Sequence, residues 1–183
     1  MCERCGICCT VHTILITFRD LREIHTANPS VDLKTIFVLC EASEAHPLWN
    51  DVLTKFPSIH FEENNSEIIG FLALRMIPVP TIPSKVQCFF FNYETKLCTI
   101  HTSKPLVCRG YPLNWNPEDG FFRVRGHCPH NWQIPLDEKE QMKPFVLNAW
   151  EELLKFRKEV EEWNKIYQRK NLDDFIRFIL HEL

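Results

Sequence analysis

Eight of the nine cysteines in this 183-residue chain fall into a pattern that reads as metal ligation. Cys2, Cys5, Cys8 and Cys9 crowd the N-terminus in Cys-Glu-Arg-Cys-Gly-Ile-Cys-Cys, Cys88, Cys98 and Cys108 recur at ten-residue intervals, and Cys128 follows. Thiolates are strong, soft ligands for zinc, copper(I) and iron–sulfur clusters, and several of them on one tight turn need a cation to hold their charges together. Consecutive Cys8 and Cys9 leave the backbone in divergent directions, so they can serve two sites or opposite edges of one cluster. Eight thiolates divide into two four-ligand sites; one centre with cysteines to spare is the other arrangement.

Disulfides are the competing use of so many cysteines. The residues after Met1 are polar and charged and lack the basic and apolar regions of a secretory leader, which predicts a cytoplasmic protein with reduced thiols. An odd number of cysteines also fits a disulfide framework poorly.

The spacing bears on which metal is held. Structural zinc sites usually draw on two separated Cys-x2-Cys pairs, whereas Cys2, Cys5 and Cys8 form a triple. Such a triple resembles the run of cubane ferredoxins, whose fourth cysteine precedes a proline elsewhere in the chain, as Cys128 precedes Pro129. Arg109, next to Cys108, is a candidate cofactor-binding residue, because a guanidinium offsets the charge of a thiolate-held cluster and raises its potential. His101, His127 and His130 are further possible ligands. Cys40 is read differently: it continues the spacing of Leu33, Ile36 and Phe37, which predicts a packed core thiol rather than a ligand.

The elements that must position these residues suit an α+β fold. A β-branched run at Val11 to Ile16 predicts a short strand, and Thr17 with Asp20 three residues on predicts the capped start of a helix carrying Leu21 and Ile24, which Asn28-Pro29 stops. A second helix is expected from about Asp32, with Leu33, Ile36, Phe37 and Cys40 on one stripe. Ile59-His-Phe61 and Ile68 to Leu72 flank the turn residues Asn64-Asn65-Ser66, predicting a hairpin. Pro78, Pro80 and Pro83 predict an extended connection. Short strands are then expected at Cys88 to Phe91, Leu97 to Ile100 and Phe121 to Val124, with Asn116 to Gly120 reversing the chain. Val146, Ala149, Trp150, Leu153, Val160, Trp163 and Tyr167 make residues 138 to 169 a long amphipathic helix, and Asn171 caps a last helix with Phe175, Ile176, Ile179 and Leu180 inside. The expected organisation is one domain over 1–183: a small, irregular, hairpin-rich metal-binding core at 1–136 with N-terminal helices, and a helical extension at 137–183.

Composition excludes several classes of function. A formal charge of −3, from 21 basic and 24 acidic residues, gives no general attraction to nucleic acid, although Lys104, Arg109, Arg123 and Arg125 cluster among the later cysteines. No apolar run reaches the roughly 20 residues that span a bilayer.

Taken in order, the N-terminal Cys-Glu-Arg-Cys-Gly-Ile-Cys-Cys, Cys88-Phe-Phe, Cys98-Thr-Ile-His-Thr-Ser-Lys-Pro-Leu-Val-Cys108-Arg-Gly-Tyr-Pro and Cys128-Pro resemble the YkgJ-like cysteine-cluster family, a zinc- or iron-chelating domain with flagellin lysine N-methylases as distant relatives. The resemblance runs from residue 2 to residue 130. It implies that Cys2, Cys5, Cys8, Cys9, Cys88, Cys98, Cys108 and Cys128 belong to the metal site and that Cys40 does not. Lys104 stands where the family usually has arginine. The expected cofactor is one or two four-iron, four-sulfur (4Fe-4S) clusters, with zinc as the alternative. The expected function is electron transfer or cluster-dependent modification of a protein substrate. The alternatives are a zinc-stabilised interaction module and an S-adenosylmethionine-dependent protein lysine methylase, the latter only on the distant resemblance, since no glycine-rich cofactor turn is present. A protein partner or protein substrate is expected in each case.

Overall fold

The structure, a computed structural model, describes residues 5–41, 56–63, 66–111, 113–118, 120–123, 136–166 and 171–181. Cys2, Cys128, His127, His130, Asn64, Asn65, Val124 and Tyr167 lie outside the described residues. The elements, helices mixed with small antiparallel sheets, are those of an α+β protein. They gather into two compact units, each built from separated stretches of chain: 1–14 with 75–151, and 15–74 with 152–183.

The second of these units holds the largest buried side chains. Thr17 opens helix α2 (Phe18–Ala27) with a complete capping box: its hydroxyl accepts from the Asp20 N–H, and Asp20 Oδ2 accepts from the Thr17 N–H at 2.9 Å. The helix ends at Asn28, as expected, and buries Phe18, Leu21 and Ile24. A single helical turn, α3 (Leu33–Ile36), follows and gives way to strand β1 (Phe37–Glu41). The helix expected to run to Cys40 therefore stops at Ile36. Phe37-Val-Leu-Cys40 is a short apolar run, which periodicity alone cannot assign to helix or strand. Its backbone groups find partners in a neighbouring strand.

That neighbour is β3 (Ser66–Leu74), the centre of an antiparallel sheet in the order β1-β3-β2, with β2 at Ile59–Glu63. The expected hairpin is thus present. Strand β2 accompanies β3 only as far as Gly70, and beyond it Leu15 bridges Ala73 while the Ile16 N–H donates to the Leu72 carbonyl. The strand expected at Val11 to Ile16 is reduced to this contact, because residues 7–11 turn into helix α1 (Ile7–Val11). Gly70 is required where it stands: an added Cβ would lie 2.8 Å from the Cys40 carbonyl oxygen.

Two helices complete this unit: the later part of α5 (Leu136–Ile166), which lies close to the expected 138–169, and α6 (Leu172–Leu180). Asn171 caps α6 as predicted, accepting from the Asp174 N–H at 3.0 Å. Trp163, fully buried, donates its indole N–H to the His60 carbonyl at 2.7 Å. Asn164 accepts from the His60 N–H and donates to the Ser58 carbonyl, so side chains of α5 satisfy the outer edge of β2. The Phe18 ring meets Phe156 and Phe175 edge-on, the favoured aromatic geometry.

The other unit is a set of hairpins. Strands β4 (Met76–Val79) and β5 (Ile82–Cys88) pair across Pro80-Thr81, so the proline-rich stretch forms a hairpin instead of an extended connection. The prolines are tolerated because the pair is two-stranded and its register shifts between Pro78 and Val79, leaving positions where no ladder N–H is needed. Strand β6 (Phe91–Asn92) pairs with β7 (Leu97–Cys98), and β8 (Leu113–Asn116) with β9 (Gly120–Arg123). The expected reversal at Asn116 to Gly120 joins the last two. A five-residue helix, α4 (Leu106–Gly110), precedes β8 and was not legible as a helix in the sequence.

Candidate metal centre

Four short elements carry five of the six described thiols of the pattern, and Cys5 stands just before the first of them. Cys8 and Cys9 sit on α1, Cys88 ends β5, Cys98 ends β7 and Cys108 is in the middle of α4. Each is placed by local backbone chemistry. Gly6, at a φ of 77°, starts α1 in the left-handed region that glycine enters freely. A Cβ there would stand 2.2 Å from the tip of the Phe91 ring, so the glycine also permits close approach. Phe91 is in turn paired with Cys98, and the Thr99 N–H donates to the Phe90 carbonyl at 2.8 Å. Cys88 is held between its pairing with Met76 and the bond from the Phe89 N–H to the Arg75 carbonyl. In α4, the Cys108 and Arg109 N–H groups both reach back to the Pro105 carbonyl.

The thiols share one electrostatic neighbourhood. Cys8 and Cys9 sulfurs lie 3.9 Å apart and half-buried. Cys8 is pulled down to about 7, first by its hydrogen bond with Cys9, against burial, with backbone N–H groups and the Lys104 ammonium assisting. Cys9 is pushed far up by donating that bond, by burial, and by the charges of Cys8, Cys108 and Cys88. Buried Cys88 is pushed up to about 11 by desolvation, with the charges of Cys98 and Cys8 adding to it. Five thiols from four elements therefore feel one another, although they span a hundred residues of sequence. Cys5 is exposed. Among the described residues, no three His, Cys, Asp or Glu side chains stand in the closed arrangement of a bound ion.

Arg109 does not direct its Nε at a sulfur; it donates to the Lys104 carbonyl at 2.7 Å and so braces the turn that leads into α4. Lys104 is the cation whose charge is felt at Cys8, a role that adjacency to a cysteine could not reveal. His12, also not singled out from the sequence, lies with its ring 5.9 Å from that of Tyr111, just past α4. Cys40 belongs to the other unit and packs on Leu15, Phe71 and Ala73, an apolar setting as expected, but half-buried on β1 rather than in the core on a helical stripe.

Residues 1–129, which hold α1, β5, β7 and α4, match the family CxxCxxCC, described as "Putative zinc- or iron-chelating domain". The chain belongs to this family. The match spans Cys2, Cys5, Cys8, Cys9, Cys88, Cys98, Cys108 and Cys128, and makes zinc or iron the metal to be accounted for. The convergence of sulfur donors agrees with that chemistry, because both metals take thiolates readily. No curated protein and no solved structure matches the chain. Among the described residues, no helix is long and apolar enough to cross a membrane.

Proposed function

We propose that this CxxCxxCC-family protein binds a four-iron, four-sulfur cluster and works in electron transfer or in cluster-dependent modification of a protein substrate. The observation that supports the reading is the shared field of five thiols, Cys8, Cys9, Cys88, Cys98 and Cys108, with the Lys104 charge felt at Cys8, which offers an anionic centre its sulfur donors and a cation together. A four-iron cluster takes one thiolate per iron. It would use one of the adjacent pair and leave the other to hydrogen bond, the relation Cys9 already has with Cys8. Lys104 supplies positive charge to an anionic centre, which favours its reduced state.

A second reading has its own observation. Two thiolates on one tetrahedral zinc, at about 2.3 Å each, stand about 3.8 Å apart, and Cys8 and Cys9 are at 3.9 Å. That separation suits a single ion holding both, as in a zinc-stabilised interaction module. Iron, zinc and acid-labile sulfide analysis of protein purified without air separates the two. The cluster reading expects brown protein with stoichiometric sulfide and broad absorption at about 400 nm that bleaches on reduction. Colourless protein with stoichiometric zinc, and no sulfide after anaerobic reconstitution, would transfer the assignment to zinc.

A further inference from the structure

Beside Cys5, a cavity of about 450 Å³ opens between α1, the bulged part of β5 and the turn joining β6 to β7. Its walls carry Lys85, Lys96 and Tyr93, and among the described residues no aspartate or glutamate lines it. Two irregular backbone features bring the lysines together. The register of β4 and β5 jumps from Pro78↔Val86 to Val79↔Ile82, so Pro83, Ser84 and Lys85 stand outside the ladder, and such bulges re-aim side chains. On the other side, Asn92 Oδ1 accepts from the Glu94 and Thr95 N–H groups, and Lys96 adopts a φ of 57°, a left-handed conformation uncommon for any residue but glycine, asparagine or aspartate. The outcome is that Lys96 Nζ sits 3.5 Å above the Tyr93 ring, while Lys85 Nζ lies 3.5 Å from the Tyr93 hydroxyl. Two like charges are gathered on one ring in a molecule of net charge −3, and among the described residues neither lysine has a carboxylate partner.

We propose that this cavity is a docking site for an acidic segment of a partner protein, one that sets carboxylates on Lys85 and Lys96 and an aliphatic side chain against the rim. The rim supports the apolar half: Val11 and Val86 both line the cavity and are 50% and 45% exposed. Tyr93, half-buried between the two exposed lysines, supplies an amphipathic wall, the type of surface enriched where proteins meet. A nucleic acid is the less suitable occupant, since its affinity comes from many phosphate contacts and a basic track, whereas here two lysines stand on an acidic chain. The inference is independent of which metal the cysteines hold.

The test uses the full-length chain and a short fluorescein-labelled peptide of glutamates flanking one leucine, read by fluorescence anisotropy. Saturable binding is expected, weakening as salt is raised, and a few-fold weaker when the leucine is replaced by glutamine. Lys85→Glu with Lys96→Glu should cost at least about tenfold in affinity, the scale of removing charge-assisted hydrogen bonds. Lys165→Glu, at an exposed lysine on α5, should change it little. Both lysines are exposed, so the folded content by circular dichroism should match the parent. Absence of saturable binding, an equal loss in Lys165→Glu, or tighter binding of a single-stranded oligonucleotide than of the peptide would each overturn the proposal.

Discussion

At the scale of single residues, the metal chemistry rests on which sulfur is where. Cys88 is buried at the end of β5 and feels the charges of Cys98 and Cys8; if it is a ligand of the proposed centre, Cys88→Ser should lower metal affinity by at least about tenfold, the size of lesser changes around metal sites. Cys40→Ala should keep the full metal content and lose only packing, about 1 kcal/mol for a small, half-buried side chain. Metal analysis with a denaturant titration checks both; equal metal loss in the two variants would mean that Cys40 is misassigned. Protonation adds a second expectation. Cys88 at about 11 and Cys9, pushed far up by its bond to Cys8, carry their protons at neutral pH in the metal-free chain. A metal must displace those protons, so uptake should acidify a weakly buffered solution. Affinity should rise with pH from about 6 to 9, with a slope of log affinity above about one per pH unit. A flat profile would show that these thiols are not ligands.

At the scale of elements, short pieces of backbone position long-range chemistry. Gly6 begins α1 at positive φ with the Phe91 ring against it, and Phe91 pairs with Cys98. Gly6→Ala should therefore displace the Cys8–Cys9 helix from the β6–β7 hairpin, weakening metal binding while the β1-β3-β2 sheet is kept. Metal affinity, measured by competition with a chelator, checks this; unchanged affinity would separate α1 from the metal site. The capping box of α2 is the contrasting case. Thr17→Ala removes the hydroxyl that accepts from Asp20 N–H and should cost about 1 kcal/mol of stability with no change in metal content. The cap was readable as a local sequence signal, since Thr17 and Asp20 are three residues apart and Asn171 precedes its helix in the same way, whereas the need for Gly6 appears only with Phe91 packed against it. Cys40 shows the limit of such signals: the run Phe37-Val-Leu-Cys40 fits a helix stripe by spacing, and only pairing with Phe71 to Leu74 of β3 makes it a strand.

At the scale of the whole molecule, apolar burial and thiols are divided between the two units. The largest fully buried side chains among the described residues, including Trp163, Phe18, Phe156 and Phe175, all fall in 15–74 with 152–183. The cysteine-bearing stretch, 75–111, is made of two-stranded hairpins, which are at best marginal without a further source of stability. A metal bound by its thiols would provide one. Removing the metal with a chelator should accordingly speed amide hydrogen exchange in residues 75–111 far more than in β1, β3 and α6. Uniform acceleration, or none, would show that the hairpins stand without metal.

What the sequence determined by itself was whatever rests on neighbours along the chain: the thiol-rich character of the protein, the caps at Thr17 and Asn171, the hairpin around residues 64–66, the long helix and the α+β class. These follow from hydrogen bonds and side-chain periodicities that close within a few residues. Tertiary structure alone decided that Phe37 to Cys40 pair with β3, that the prolines at 78, 80 and 83 lie in and beside a hairpin, that α4 forms around Cys108, and that the Lys104 charge is felt at Cys8. Each of these depends on groups brought together from distant positions, where the energy of a strand partner, a packed ring or a nearby ammonium outweighs local preference and leaves no trace in local spacing.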